Sequence, residues 1–431
     1  MKALELNPRE LRPELLPNFA KRFVTPSVAH IGHHLDGDIV HELVSDACAI
    51  GVSDIHINPH RDGARIRIRV DGTVFDVAHL NTEDGKMLVN QFKALANLDP
   101  IVRFNPRDAH ASLRVNKALV HLRLALAPSL DRDTLTVRIL DPKRLDRSIN
   151  ELGLTTAQFH ILQEWLESVS GMFLACGPTS SGKTTTLSAF LQRLKAQSKV
   201  ILTLEDPVEY QIDGIAQVQI DELHHLQFSD GLKALLRHDP DYLMIGEIRD
   251  SRTANIAISA AIAGRVLLST LHARDRVGAI TALRNWDLAD HEIAESVSVI
   301  ITQRLVRKVC MNCCERRGLT SQEALWFQSL ELDPPAHVWD GAGCDVCHHL
   351  GYKGRTGIFE LWRLEEGDYH RILRHNDEHR LRMHLLDRGH RFLVHEIIAK
   401  LEQGITSMAE AKRVATEMVL NSPESELVAV G

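Results

Sequence analysis

Three groups of residues in this chain have the types and spacing needed for chemistry. The first is Gly177, Pro178, Thr179, Ser180, Ser181, Gly182, Lys183 and Thr184, which fit the phosphate-loop pattern G-x-x-x-x-G-K-[ST]. Successive backbone N–H groups of such a loop form an anion-binding concavity, and the following helix N-terminus adds partial positive charge. Lys183 is suited to reach β- and γ-phosphates, and the Thr184 hydroxyl to ligate Mg²⁺. The expected ligand is a nucleoside triphosphate.

The second group is a set of polar residues, each following an apolar run. Glu205 and Asp206 follow Ile201-Leu-Thr-Leu, Glu247 follows Tyr242-Leu-Met-Ile-Gly246, and His272 follows Leu268-Ser-Thr-Leu. Ligands bind at the carboxyl ends of strands in open α/β sheets. A carboxylate there can orient or deprotonate an attacking water or hold Mg²⁺ indirectly, since Mg²⁺ takes hard oxygen ligands and keeps several waters. Glu247 has the design of a Walker B acid, with Gly246 allowing close backbone approach and Arg249 pairing with a carboxylate or a phosphate. A polar residue at the position of His272 can sense a γ-phosphate and relay its loss.

The third group is cysteine. Cys310-Met-Asn-Cys313-Cys314 and Cys344-Asp-Val-Cys347 are two C-x-x-C knuckles about thirty residues apart. Two thiolates from each knuckle close a tetrahedral structural zinc site, so Cys310, Cys313, Cys344 and Cys347 are the expected ligands. Cys314 is an alternative to Cys313 that breaks the preferred spacing. Basic neighbours Arg304, Arg307, Lys308, Arg316 and Arg317 are expected to soften the thiolate charge. Cys48 and Cys176 sit in apolar patterns and are expected in the core.

These groups need elements to position them. Residues 1–36 are Pro- and His-rich and read as a tail with at most short helices. Residues 37–140 read as a small α+β domain. Ile39–Ile50 has helical apolar spacing, Ala64–Val70 alternates with period two, and Asp71-Gly72 is a hairpin turn signal. A helix is expected over Thr82–Ala96, then strands over Ala111–Val115, Leu119–Leu126 and Thr134–Leu140. Residues 141–150 form a linker. From 151 to 420 short apolar strands alternate with helices, the pattern of a parallel sheet. Its expected strands are Met172–Cys176, Val200–Leu204, Tyr242–Ile245 and Val266–Thr270, with the cysteine knuckles as an insertion over 308–358. Residues 421–431 read as a polar, disordered tail.

Composition narrows the function. The chain has 431 residues, a net charge of -7 and 5% aromatic residues, which favours neither a nucleic-acid-coating surface nor a base-stacking one. No apolar run approaches the roughly 18 residues that suggest a membrane span, and the N-terminus lacks a signal-peptide core. The expectation is a cytoplasmic protein without a transmembrane segment.

The order of phosphate loop, LEDPVEY, LRHDPDYLMIGEIRD, STLHA and TQRLVRKVC resembles the secretion-superfamily ATPases of type II secretion and type IV pilus assembly. The resemblance runs from about Asp54 to Lys400. It implies an α/β fold, a RecA-like phosphate-loop core joined to a smaller PAS-like α+β domain, with ATP at the cleft between them. It also implies that Glu205 is the catalytic glutamate, Glu247 the Walker B acid and His272 the histidine-box residue. In the small domain, Ser53-Asp54-Ile-His56-Ile and Arg67-Ile-Arg69-Val-Asp71-Gly72 are similar to family segments, and Arg69, Arg123 and Arg138 align with arginines that swing onto the phosphates. Gly351-Tyr-Lys-Gly354-Arg355-Thr-Gly357 resembles a further family segment. Two stretches depart from the family. Asn105-Pro106-Arg107-Asp108-Ala109-His110 puts His110 where the family has arginine, so either Arg107 substitutes or the contact is weakened. Ala263-Gly264-Arg265 replaces the usual Thr-Gly-His.

The resemblance therefore implies a homo-hexameric ATPase, using ATP, Mg²⁺ and Zn²⁺, that powers pilin or pseudopilin assembly at an inner-membrane platform protein. The cysteine knuckles favour the assembly or secretion branch over retraction motors. Assembly relatives carry an extra N-terminal docking domain, whereas about 36 residues precede the small domain here. Alternatives are a DNA-uptake or conjugation ATPase of the same superfamily, or a regulatory subunit that binds ATP without turnover. No direct nucleic-acid contact is expected.

Overall fold

The computed structural model describes residues 11–23, 39–100, 106–130, 132–140, 147–168, 170–195, 199–221, 226–330 and 332–420. Asn105, most of the 141–150 linker, much of the 1–36 segment and the 421–431 tail lie outside these. The chain divides into two compact units. The first is 1–142 together with 310–314 and 341–354, and the second is the remainder.

The first unit is built on a six-stranded antiparallel sheet of β1 (Val52–His60), β2 (Gly63–Val70), β3 (Thr73–Asn81), β4 (Arg107–Val115), β5 (Ala118–Pro128) and β6 (Asp133–Leu140), in the order β3-β2-β1-β6-β5-β4. Alternation places Ile66 and Ile68 of β2 in the core and Arg65, Arg67 and Arg69 on the opposite face. The expected hairpin closes at Asp71-Gly72, where Val70 pairs with Thr73 and both turn residues have positive φ (46° and 88°). That is the conformation of a two-residue primed turn, whose twist matches the strands. Helix Thr82–Leu95 starts at Asn81, whose side chain accepts the Asp84 N–H at 2.9 Å. Within the expected N-terminal tail, residues 13–23 depart from a tail's behaviour. Leu15, Leu16 and Phe19 are fully buried in this unit's core, and Asp46 fixes the start of helix Pro17–Phe23 by accepting from the N–H groups of Asn18 and Phe19. Apolar burial gives that segment its structure.

The second unit holds a seven-stranded sheet. Its strands are β7 (Gly171–Cys176), β8 (Ile201–Glu205), β9 (Ala216–Gln219), β10 (Tyr242–Ile245), β11 (Val266–Leu271), β12 (Val297–Val309) and, after the two-stranded ribbon of β13 (Cys314–Arg317) and β14 (Val338–Gly341), β15 (Tyr352–Arg363). The order is β15-β12-β7-β11-β10-β8-β9, with β12 through β9 parallel. Helices cover both faces, so the central strands are apolar throughout. Met172, Leu174 and Cys176 of β7 enter one core cluster, and Phe173 and Ala175 the other. Cys176 is fully buried, and Cys48 is half-buried against the first unit's core.

All four expected strands fall within a residue of their predicted ends. The strand expected from Val200 starts at Ile201, because Val200 is held outside the ladder. Its N–H bonds the Asp241 carboxylate at 2.8 Å, and its carbonyl accepts from Asp241 and Tyr242.

Candidate functional site

The phosphate loop leaves β7 and runs into helix Lys183–Lys195. Gly177, Ser180 and Gly182 have φ of 145°, 64° and 93°, the positive-φ backbone that a nest of N–H groups requires. A Cβ on Gly177 would lie 2.6 Å from the Gln303 carbonyl, and one on Gly182 2.6 Å from Gln303 Nε2. Gln303, in β12, therefore supports the loop from below, and its Oε1 accepts from the Thr186 hydroxyl at 2.7 Å. The local pattern did not single out Gln303; its only signal was its place in TQRLVRKVC.

Lys183 donates to the carbonyls of Gly177 (2.7 Å) and Pro178 (3.0 Å). Burial, helped by the Arg304 charge, pulls its pKa down to about 8. Ser181 is buried, and its Oγ has no hydrogen-bond partner among the described residues. A buried hydroxyl without a partner is rare in proteins, and here it adds a donor to an anion cradle. Pro178, Thr179, Ser180 and Thr184 are exposed. The loop fits a phosphate chain.

Strand order brings the acids to the same edge. The parallel neighbours run β7, β11, β10, β8, so His272, Glu247 and Glu205 follow from the loop in successive strand positions. With about 4.8 Å per strand, Glu205's strand is about 14 Å from the loop's strand. Glu205 is buried, and its Oε1 accepts from Thr203 Oγ1 (2.6 Å) and Gln217 Nε2 (2.9 Å). Burial raises its pKa against those two bonds. A Cβ at Gly246 would stand 3.4 Å from the Glu205 Cα, an ordinary contact, so the approach of the β10 end to β8 does not require glycine there. Glu247 pairs with Arg249, whose other nitrogen reaches Asp206 at 3.1 Å. His272 Nε2 lies 3.2 Å from Glu247 Oε2. Burial, then the Lys183 and Arg249 charges, lowers the pKa of His272.

In the first unit, register aligns a row of charges across five strands. Arg69 in β2 pairs with Asp54 in β1, Asp54 with Arg138 in β6, Arg138 with Arg123 in β5, and Arg123 with His110 in β4. Directly opposed residues share a face, so these side chains form one line on the face opposite the core, with Asp54 buried among them. Asp54 receives Arg138 Nε at 3.0 Å and lies 3.6 Å from Arg69 Nε, while Arg123 pairs with Asp108 at 3.3 Å. Arg107 is three residues from His110 in the same strand, so it takes the opposite face and cannot fill the end of this row.

The four cysteines Cys310, Cys313, Cys344 and Cys347 converge, with all ligand atoms within 4.8 Å of one another. Sulfur separations are 3.9 Å for Cys310–Cys344 and 3.8 Å for Cys313–Cys347 and Cys344–Cys347. A tetrahedron with Zn–S bonds of about 2.3 Å has edges of about 3.8 Å, so the donor set fits a four-coordinate soft ion. Cys314 stands apart, its Sγ directed to the Met311 carbonyl at 3.6 Å. N–H groups of Gly343 and Gly351 reach Cys313 and Cys347 Sγ, each at 3.3 Å, and Asn312 Nδ2 reaches Cys344 Sγ at 3.2 Å. The Asn312 bond leads the effects that pull the Cys344 thiol down to about 6.

Four of the five expected basic neighbours, Arg304, Arg307, Arg316 and Arg317, are engaged by groups other than the thiolates. Arg307 is held by Glu410 at 2.8 Å, and Arg317 by Glu323 and Asp340. Arg316 bonds His337, and Arg304 lies at the phosphate loop, 3.3 Å from where a Gly177 Cβ would be. Charge-assisted bonds to carboxylates hold Arg307 and Arg317, and amide donors reach the sulfurs.

Fold and loop together define a phosphate-loop α/β protein with a RecA-like core, a smaller α+β unit and a tetracysteine cluster. Residues 34–413 match the family described as type II/IV secretion system protein, and the chain belongs to that family. It is 36% identical over 380 residues to the type II secretion system protein E of Aeromonas hydrophila, covering 88% of this chain and 75% of that one. It is 33% identical over 368 residues to the type IV pilus assembly ATPase TfpB of Acinetobacter baylyi, covering 84% and 63%. The Legionella pneumophila ATPase DotB superposes with a TM-score of 0.65 at 19% identity, over 91% of this chain and 98% of that one, a likeness of fold. Among the described residues no helix is long and apolar enough to cross a membrane.

Proposed function

We propose that this protein is the ATP-hydrolysing motor of a type II secretion or type IV pilus apparatus, assembling pseudopilins or pilins. The carrying observation is the phosphate loop on β7 with His272, Glu247 and Glu205 at the same edge of the parallel sheet. Loop N–H groups and Lys183 bind the β- and γ-phosphate oxygens. Glu247 and the Thr184 hydroxyl hold Mg²⁺, which supplies charge neutralisation when bound. Glu205, with its proton affinity raised by burial, takes a proton from water as the water oxygen bonds the γ-phosphorus. The bond from that phosphorus to the β,γ-bridging oxygen breaks, and ADP leaves with the electron pair. His272 senses the γ-phosphate through its bond to Glu247. Arg69, Arg123 and Arg138 contact the phosphates; their support is the common row and a permanent, forked charge. Cys310, Cys313, Cys344 and Cys347 hold Zn²⁺ as a structural ion.

The working form is a homo-hexamer in the cytoplasm, docked on an inner-membrane platform protein; the family membership supports this reading. Steady-state hydrolysis by the purified, zinc-loaded protein tests it. Lys183→Ala is expected to abolish turnover; equal, slow rates in both proteins with ATP still bound would instead mark a regulatory subunit.

A further inference from the structure

The cysteine knuckle and the β2–β3 hairpin belong to the same compact unit, although some 240 residues separate them in the chain. A short series of contacts connects them. The Gly351 N–H bonds Cys347 Sγ at 3.3 Å, and the Gly351 carbonyl accepts from the Cys310 N–H at 3.0 Å. Gly351 is thus bonded to both halves of the cluster. Its neighbour Leu350 is buried in the core of the small α+β unit, the one knuckle side chain in that cluster. Three residues further on, the Gly354 N–H donates to Asp71 Oδ2 at 2.8 Å. Asp71 opens the hairpin turn, and the carbonyl of Gly72, the next residue, accepts from Arg69 Nη1 at 2.9 Å. Gly351 and Gly354 have φ of 73° and 76°, so this return of the chain depends on glycine at both points.

We propose that Asp71 is a positioning residue through which the metal-bound knuckle sets the β2–β3 turn and thereby the guanidinium of Arg69. The ion closes the four thiolates and fixes the 344–354 loop. That loop presents the Gly354 N–H to Asp71, and the turn then offers the Gly72 carbonyl to Arg69. Without the ion the four sulfurs lose their common partner, the loop loosens, and Arg69 keeps only its pairing with Asp54. Coupling of this kind is reciprocal, so disturbing Asp71 must also weaken the hold on the metal. The effect on nucleotide rests on the phosphate contact assigned above to Arg69; the effect on metal does not.

The experiment uses the full-length, zinc-loaded chain and two variants. Asp71→Gly suits the positive φ and removes the acceptor, while Asp71→Asn suits the same φ and keeps one. Zinc release to a chromogenic chelator is followed with ATP turnover. Loss of a charge-assisted bond predicts release about tenfold faster in D71G, with KM for ATP raised and kcat nearly kept. D71N is expected to restore both. Wild-type release from D71G overturns the proposal, as does equally fast release from D71N. Faster release from D71G with a KM unmoved both there and in Arg69→Ala leaves the coupling standing and removes Arg69 from the nucleotide site.

Discussion

His272 Nε2 and Glu247 Oε2 are 3.2 Å apart although 25 residues separate them in sequence. The parallel pairing of β10 with β11 makes the contact, since Ile245 opposes Ser269 and both chains leave the sheet at the same edge. Glu247 also holds Arg249, so one carboxylate joins the histidine, the arginine and, through Arg249, Asp206.

Glu247→Gln preserves an acceptor for His272 and removes the charge. ATP binding is expected to persist while kcat falls about 100-fold or more. Fluorescent-nucleotide titration and single-turnover hydrolysis measure the two separately. Rapid turnover in this variant would remove Glu247 from the metal-holding role.

Lys183 predicts a pH dependence of two opposite signs. Its folded pKa of about 8 lies below its ordinary 10.5. Phosphate needs the charged amine, so nucleotide affinity is expected to fall as pH rises through about 8, approaching tenfold per pH unit for a one-proton linkage. The nucleotide-free protein behaves the other way. Between about 8 and 10.5 the unfolded chain binds more protons at this lysine, so its contribution to stability rises with pH. Calorimetric titration against pH, with Lys183→Met as control, checks both.

Cys313→Ser is expected to lower metal affinity about 100-fold or more, because three thiolates no longer close the tetrahedron. Cys314→Ser is expected to leave it unchanged, since that sulfur faces the Met311 carbonyl. Metal content per chain after gel filtration under reducing conditions decides between the two cysteines. Less than about half an equivalent in the wild type would contradict a structural zinc.

Arg276 is fully buried in the second unit. It donates to the Leu361 carbonyl at 2.9 Å, lies 3.9 Å from Glu360, and stands 4.7 Å over the Phe392 ring. Burial pushes the Glu360 pKa up while the Arg276 charge opposes it. Arg276→Ala strands that carboxylate and is expected to destabilise the fold by about 3–5 kcal/mol. Chemical denaturation of this unit reads the loss; a change below about 1 kcal/mol would show that the pair is replaceable.

His110 ends the charge row where a permanent cation would extend it. His110→Arg is expected to tighten triphosphate binding about fivefold, an effect of one added exposed charge that should shrink as salt rises. Nucleotide titration at two ionic strengths tests this; no change at low salt would mean that the row ends functionally at Arg123.

Local pattern alone sufficed for the phosphate loop, the apolar strands that present Glu205 and Glu247, and the two cysteine knuckles. Each is carried by residues within about a dozen positions, and each uses chemistry that few other residue types supply. The Asp71-Gly72 hairpin was legible for the same reason, because positive φ at two consecutive positions strongly restricts composition.

Tertiary structure decided what depends on distant neighbours. Only sheet order sets β11 between the loop's strand and Glu247's, and only register turns Arg69, Arg138, Arg123 and His110 into one line. Gln303 supports the phosphate loop from more than a hundred positions away, and Arg304 belongs to that loop instead of to the cysteines its sequence position suggests. Packing likewise moved Leu15, Leu16 and Phe19 from a tail into a core and selected Cys313 over Cys314. A sequence specifies which groups can bind phosphate, protons or metal. Which of them meet depends on how strands pair and where apolar side chains find cover, and those choices are made by the whole chain at once.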